Sequence, residues 1–225
     1  MLTDARNVAY LYSTTREAEF IHAHLKDFKG VLVSDFYAAY DGFECAQQKC
    51  LIHLIRDLNE DLKNEPYNPE LKMICMSFSE ALKPIIETID RFGLKKFHLN
   101  KHKKPTTAFL NLIQTTIFKS DSAIKWQSRF TRISGKIFTF LDYEQVPWNN
   151  NNAEHAIKHI ALLRNVVGGS STSIGIRHYL VLLSIFATCK NKKIKFLYFL
   201  LSDCHDSNVI LKLPNNILSM DEMNT

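Results

Sequence analysis

Helical periodicity through the middle of the chain constrains the fold more than any other sequence feature. After Cys50, apolar side chains recur on one face of a predicted helix, namely Leu51, Leu54, Ile55, Leu58 and Leu62. A second helical pattern covers Glu70–Phe92, and two more reach about Leu141. We therefore expect residues 51–141 to form a helical insertion in a larger fold.

The residues before this block combine strand and helix patterns. Asn7–Ser13 alternates large apolar side chains with smaller ones and predicts a strand. Phe20–Phe28 repeats apolar residues at helical spacing, and the apolar run Val31–Ser34, which leads into Asp35, predicts a buried strand. We expect these elements to form a strand–helix–strand unit of an α/β fold.

Composition narrows the class of protein. Of the 225 residues, 46% are hydrophobic and 23% are charged, a balance that excludes a chain disordered throughout. An odd number of irregularly spaced cysteines, without a secretory signal, favours a reducing cytoplasm over a disulfide framework. The longest apolar run, Tyr179–Ala187, is too short to cross a bilayer. The formal charge of +5 points to an anionic partner without identifying it.

Asp35 is the first candidate for chemistry, because a carboxylate at the end of a buried strand lies where ligands bind in open α/β sheets. A second interpretation is that Asp35 only caps the turn that follows the strand. For an isolated aspartate at a strand end, turn capping is the commoner outcome. The residues by themselves therefore leave both interpretations open.

Glu154 is the second candidate, because it is the only acid between Gln145 and Ser202. The same span contains seven cations: Lys158, Arg164, Arg177, Lys190, Lys192, Lys193 and Lys195. A glutamate in the first turn of a helix is explained by the helix dipole, with Asn151 or Asn152 as the N-cap. The lack of other acids is not explained in that way, whereas phosphodiester chemistry requires cations around a metal-binding carboxylate. The pattern favours a functional role for Glu154.

Other polar clusters are less specific. Cys50 and His53 have the spacing of half a zinc site, but no second half follows at a suitable distance. His53, Arg56 and Glu60 share a helix face that is either solvated surface or the border of the Asp35 cleft. The basic segment 95–104 is a solvated loop or a phosphate contact.

Two blocks of the sequence resemble the transposases of the insertion-sequence 66 family, which are bacterial DDE enzymes with a ribonuclease-H-like core. The first block runs through Gly30–Tyr40 and continues to Gln48–Arg56, and it resembles the family's second-aspartate strand and its Cys-x-x-His-x-x-Arg helix. The second, Val146–Lys158, is similar to the asparagine-rich motif that carries the catalytic glutamate. Weaker similarity extends the match to about residues 5–202.

The resemblance implies that Asp35 and Glu154 are the second and third acids of a triad that binds two magnesium ions for DNA cleavage and strand transfer. Hard oxygen ligands suit Mg²⁺, which agrees with this choice of residues. The partner would be DNA, at the transposon ends and the target, and the resemblance allows a homodimer of the full-length protein. We assign DNA contact to six residues: His53, Arg56, Asn151, Asn152, Lys158 and Arg164.

The chain departs from the family pattern at its start. The first catalytic aspartate belongs on a strand before the one near Asn7, and Asp4, the only earlier acid, lies in a predicted turn. We therefore expect a truncated and inactive transposase fragment, with a ribonuclease-H-like mixed sheet that is incomplete at its N-terminal edge. An unpaired sheet edge predicts reduced stability or self-association.

These expectations divide the chain into four parts. Residues 1–50 begin the ribonuclease-H-like core, 51–141 form the helical insertion, 142–202 are the helical part with Glu154, and 203–225 are a polar tail. The predicted location is the cytoplasm, at the bacterial nucleoid, without membrane attachment. Two alternatives are a DNA-binding remnant that does not cut DNA, and a helical interaction protein in which Glu154 is a surface acid.

Overall fold

The computed structural model describes residues 2–4, 6–13, 18–151 and 172–202. The chain separates into two compact units, one formed by residues 17–150 and the other by residues 1–16 together with 151–225. Helices make up most of the described residues, and the strands are short. None of the helices in these four ranges is long and apolar enough to cross a membrane.

The larger unit is a helical assembly with one small sheet. Its helices are α1 (Ala18–Leu25), α2 (Leu51–Asn64), α3 (Pro69–Phe92), α4 (Lys96–Leu99), α5 (Lys103–Thr115) and α6 (Asp121–Ile137). Short 3-10 turns occur at Ala38–Tyr40, Asn100–His102 and Thr139–Leu141. The helical periodicity over residues 51–141 is thereby confirmed.

Local sequence signals explain where α3 and α6 begin. The side chain of Asn68 accepts the N–H groups of Glu70 and Leu71, and Pro69 occupies the first helical position. Ser120 caps α6 by accepting the N–H of Ala123 at 3.4 Å. The N–H of Ser120 in turn bonds to Glu70 at 2.7 Å, so the two helix starts are tied together.

The core of this unit lies among α2, α3, α5 and α6. Its fully buried members come from all four helices, for example Leu54, Ile74, Ile113, Trp126 and Phe130. Each such side chain contributes about 1.5–3 kcal/mol when it leaves water. Packing of the periodic apolar faces is therefore what holds these helices together.

The small sheet of the larger unit pairs two parallel strands, β3 (Leu32–Ser34) and β4 (Gln47–Lys49). The strand β3 confirms the sequence prediction, whereas β4 was not predicted. Its three polar residues are buried, and each side chain donates a hydrogen bond, although Gln47 Oε1 accepts none from the described residues. The amide of Gln48, for example, donates to the carbonyl of Ile137 at 2.9 Å and accepts the N–H of Phe140 at 3.0 Å.

The smaller unit contains an antiparallel pair, β1 (Leu2–Thr3) with β2 (Val8–Ala9), and two helices, α7 (Ser173–Asn191) and α8 (Phe196–Leu201). Hydroxyls of α7 bond the strand segment: Thr188 Oγ1 accepts the N–H of Val8, and Ser184 Oγ accepts the N–H of Tyr10. Val8, Tyr10 and Leu180 form its buried centre. Side-chain hydroxyls thus accept backbone N–H groups that a neighbouring strand would otherwise bond.

Three sequence predictions need correction. The strand predicted over Asn7–Ser13 is only Val8–Ala9, because its backbone bonds to α7 hydroxyls rather than to a longer partner strand. The helical prediction for 142–202 gives no break within residues 173–201, where the structure has two helices, since Lys193 adopts a left-handed conformation with φ 58°. Finally, β2 pairs with β1 and β3 with β4, so the strand–helix–strand segment is not one sheet.

Asp4 lies in the turn between β1 and β2, as predicted. Its Oδ1 accepts the N–H groups of Arg6 and Asn7 at 2.7 and 2.6 Å. Burial opposes ionisation, but these bonds, the Asn7 amide and the charge of Lys192 lower the pKa of Asp4. The carboxylate is therefore used by the turn itself. The ribonuclease-H-like core and the four-part domain division stay predictions.

Candidate active site

Asp35 directly follows β3, at the point where the parallel pairing with β4 ends. Its Oδ1 accepts the N–H of Tyr37 at 3.0 Å, which is the turn-capping bond that the simpler interpretation predicts. Its Oδ2 accepts no hydrogen bond from the described part of the chain. The capping role therefore holds the carboxylate in place and leaves one oxygen for a further ligand.

A buried lysine supports the backbone of Asp35. The side chain of Lys49 is 1% exposed, and its Nζ lies 3.3 Å from Ser34 Oγ, 3.2 Å from the carbonyl oxygen of Asp35 and 2.9 Å from Asp41 Oδ1. A buried ammonium group requires such partners, because its charge is costly to remove from water. Lys49 thus fixes the end of β3 to the turn that contains Asp41.

Asp41 is shared by two lysines. Its Oδ1 lies 2.9 Å from Lys49 Nζ and 3.3 Å from Lys136 Nζ. Burial opposes ionisation, but both lysines lower the pKa of Asp41. Asp41 is therefore committed to the ion pair that neutralises Lys49.

The negative charge of Asp35 is also felt by Tyr40. Burial raises the pKa of Tyr40, and the charges of Asp35 and Tyr37 add to the effect. The rings of Tyr37 and Tyr40 meet edge to face, with centroids 5.8 Å apart. Two aromatic rings thus lie near Asp35, and that of Tyr37 is 42% exposed.

Phe36, the residue after Asp35, is anchored by Arg129 of α6. The guanidinium lies 4.7 Å from the ring centres of both Phe36 and Trp126, and it binds Asp57 Oδ2 at 2.6 Å. Stacking on two rings and pairing with a carboxylate suit the planar charge of arginine. The turn that carries Asp35 is thereby attached to the helical core.

The start of α2 joins the two sequence motifs. The N–H of Cys50 bonds to the carbonyl of Ser34 at 2.8 Å, and the N–H of Leu51 bonds to the carbonyl of Trp148 at 3.0 Å. The N–H of Asn150 bonds to Cys50 Sγ at 3.2 Å. The asparagine-rich motif therefore approaches the sheet edge where Asp35 follows β3, although about a hundred residues separate them.

A family model described as "Transposase IS66 family" matches residues 1–178. The chain belongs to this transposase family. No curated protein and no solved structure gave a significant match. The family assignment made from the two motifs is thus confirmed.

Only part of the predicted site of this transposase-family chain lies among the described residues. Glu154, Asn152, Lys158 and Arg164 lie outside the described residues, so the expected convergence of Glu154 with Asp35 stays a prediction. Asn151 is described and half-buried. On α2, Arg56 and Glu60 are exposed, whereas His53 is half-buried.

The described residues of the transposase-family chain contain no group of three His, Cys, Asp or Glu side chains placed to hold a metal ion. Cys50 is buried and accepts the N–H of Asn150, so its sulfur is occupied by a backbone contact. Asp35 is the carboxylate at the sheet edge, and its role in binding a divalent ion stays a prediction. Its one unbonded oxygen fits a hard cation such as Mg²⁺.

Sequence reasoning missed three residues that build this site. Lys49 and Gln48 lie in a segment that reads as polar loop, and nothing in the sequence indicates that both are buried. Arg129 lies far along the chain in a predicted helix, and its contact with Phe36 depends on tertiary packing. Only the adjacency of Lys49 to the Cys50 motif could have pointed to it.

Proposed function

We propose that this member of the transposase family contributes Asp35 and Glu154 to a metal site for DNA cleavage and strand transfer. The observation that carries the proposal is the link through Cys50, which bonds both to Ser34 and to Asn150. Glu154 follows Asn150 by four residues, and four residues of chain reach at most about 14 Å. Covalent reach therefore permits the two acids to converge.

The residues around Asp35 fit the role of holding a divalent ion. Tyr37 orients one carboxylate oxygen, Lys49 holds the carbonyl of Asp35, and Arg129 fixes Phe36 beside it. When bound, magnesium would polarise the scissile phosphate and help to activate water or a DNA 3′-hydroxyl. The protein's part is to hold the carboxylates in position before the ion arrives.

In this proposal, DNA is held by cations and amides on both sides of the acids. Arg56 is exposed on α2 and provides a phosphate contact beside the motif junction, with His53 next to it. Asn151, Asn152, Lys158 and Arg164 would extend the contact from the second motif. Phosphate contacts position the DNA and carry no sequence information by themselves.

Metal binding by the whole chain tests the two acids. Mn²⁺ serves as the probe, and the free ion is measured by electron paramagnetic resonance. We expect Asp35→Asn and Glu154→Gln each to weaken Mn²⁺ binding by about tenfold or more, because each removes a hard ligand. Glu60→Gln, at an exposed acid of α2, is the matched control and should bind as the wild type does. Unchanged binding by either site variant would reject the assignment.

We further propose that the 225-residue chain does not cut DNA by itself, because it supplies two of the three acids that the family resemblance implies. The test is nicking of supercoiled plasmid with Mg²⁺ or Mn²⁺. The wild-type chain and Asp35→Asn should give the same background. Metal-dependent nicking that Asp35→Asn abolishes would disprove the inactivity and leave the role of Asp35 standing.

A further inference from the structure

An exposed aromatic cluster lies where α3 passes into α4. The ring of Phe92 stacks on His98 with centroids 4.2 Å apart, and the ring of Phe97 meets His98 edge to face at 5.2 Å. Arg91 lies 5.0 Å over the ring of Phe92. Phe97 is nevertheless 86% exposed, so its ring contributes almost nothing to the core.

Cations surround these rings. Phe97 lies in α4, and Lys101 lies four residues further on, in the 3-10 turn that directly follows α4. Lys95 directly precedes α4, and neither it, Lys101 nor Arg91 forms an ion pair within the described part of the chain. The group is called the Phe97 surface below and consists of Arg91, Phe92, Lys95, Phe97, His98 and Lys101.

The Phe97 surface contains no acidic residue, and acids lie only at its border. Residues 91–104 contain six lysines and arginines and no aspartate or glutamate. Glu144 accepts the backbone N–H of Lys96 at 2.9 Å, and Asp142 binds Lys103 at 2.5 Å. Glu144 and Asp142 are therefore occupied at Lys96 and Lys103, and Arg91, Lys95 and Lys101 form no ion pair among the described residues.

We propose that the Phe97 surface binds single-stranded DNA. An exposed ring beside unpaired cations is the combination that holds unpaired nucleotides, since bases stack on the ring while phosphates contact the cations. Paired bases are stacked on one another and cannot use the ring in this way. The ring of His98, which stacks on Phe92, contacts the edge of Phe97 and leaves most of that ring open to a base.

This assignment does not depend on the metal site. No residue of the Phe97 surface is among those proposed to bind metal or to contact DNA beside Asp35. Its variants can therefore fail while the metal-binding test succeeds, and the reverse also holds.

The test is fluorescence anisotropy of the whole chain with a labelled oligothymidylate of about 20 nucleotides, long enough for one binding site. We expect Phe97→Ala to weaken binding about five- to tenfold, because it removes one stacking ring. Phe97→Tyr keeps the ring and should bind within about twofold of wild type. The matched control is Tyr67→Ala, at a 92% exposed ring outside the surface, and it should bind as wild type does.

Two further arms identify the partner. Lys95→Gln and Lys101→Gln should each reduce the salt slope of oligothymidylate binding by about 0.7. Against duplex DNA of equal length, Phe97→Ala should change the affinity less than about twofold, because duplex bases do not stack on the ring. The proposal would be overturned if Phe97→Ala and Tyr67→Ala lost equal affinity, or if Phe97→Ala lost equal affinity for duplex and single strand. Tighter binding to the matching RNA, or no binding by the wild type, would also overturn it.

Discussion

Lys193 holds a backbone conformation that ordinarily favours glycine. Its φ of 58° ends α7: its own N–H bonds to the carbonyl of Lys190, and the N–H of Ile194 bonds to that of Cys189. Ile194 and Cys189 are both buried and pack together, which completes a Schellman motif. A side chain in this conformation costs about 1–2 kcal/mol.

Lys193→Gly should therefore stabilise the chain, by up to about 1 kcal/mol once the greater freedom of glycine in the unfolded state is included. Lys190→Gly, in the last turn of α7, is the matched control and should destabilise by about 1 kcal/mol. Urea unfolding of the two variants and the wild type measures the difference. A loss of stability in Lys193→Gly comparable to that in Lys190→Gly would contradict the proposed role of φ.

Lys49 is the residue on which the end of β3 most depends. Lys49→Met keeps much of the apolar stem but removes the charge that contacts Ser34, Asp35 and Asp41. We expect a loss of about 1–3 kcal/mol in the free energy of unfolding, because buried acceptors lose their donor. Lys136→Met removes the more exposed partner of Asp41 and should cost less. Equal losses in the two variants would show that burial of Lys49 is unimportant.

At the scale of elements, α3 is joined to the turn before α5 by a buried histidine. Thr88 Oγ1 donates to the carbonyl of Pro84 at 2.8 Å, so it must accept the proton of His102 Nε2, 2.8 Å away. Burial lowers the pKa of His102, and the charge of Lys101 lowers it further. The folded chain therefore favours the neutral form of the His102 ring.

This arrangement predicts a pH dependence of stability. A histidine with a lowered folded pKa takes up its proton more readily when unfolded, so stability falls as pH drops below the ordinary value of 6.5. The wild type should therefore lose more unfolding free energy than His102→Gln between about pH 7 and pH 5. His24→Gln, at an exposed histidine, is the control and should behave as wild type. Equal losses in wild type and His102→Gln would contradict the assignment.

The elements also show which parts of the fold the sequence can predict. Helices α2, α3, α5 and α6 follow from apolar periodicity, because each presents one face to a common core. Strand β4 could not be predicted, since the burial of Gln47, Gln48 and Lys49 depends on partners far along the chain, such as Ile137. The break after α7 was missed because lysine occupies the position where glycine is the usual signal.

In the candidate site, too, local features could be predicted from the sequence and tertiary contacts could not. The position of Asp35 at a strand end could be predicted, because a short apolar run ending in a carboxylate is a local pattern. Its supports could not, since Lys49 and Arg129 reach it only through tertiary packing. The contact of Asn150 with Cys50 was likewise invisible in the sequence, although both motifs were recognised.

At the scale of the whole molecule, we expect DNA affinity and metal-dependent activity to depend on different residues. The formal charge is +5, and the proposed phosphate contacts are cations and amides rather than the acids Asp35 and Glu154. In the absence of divalent metal, affinity for DNA should come from release of counterions and fall steeply with salt. In the proposed function the acids bind metal and do not contribute to this affinity.

Glu154→Gln and Asp35→Asn should therefore bind duplex DNA in chelator within about twofold of wild type, with the same salt slope, because no phosphate contact is removed. Arg56→Gln, at an exposed cation of α2, should reduce the slope by about 0.9, the value for one lost contact. Filter binding over a range of salt concentrations measures both quantities. Loss of metal-free DNA binding in Glu154→Gln would mean that the acid holds the DNA-binding surface together, and the proposed separation would be wrong.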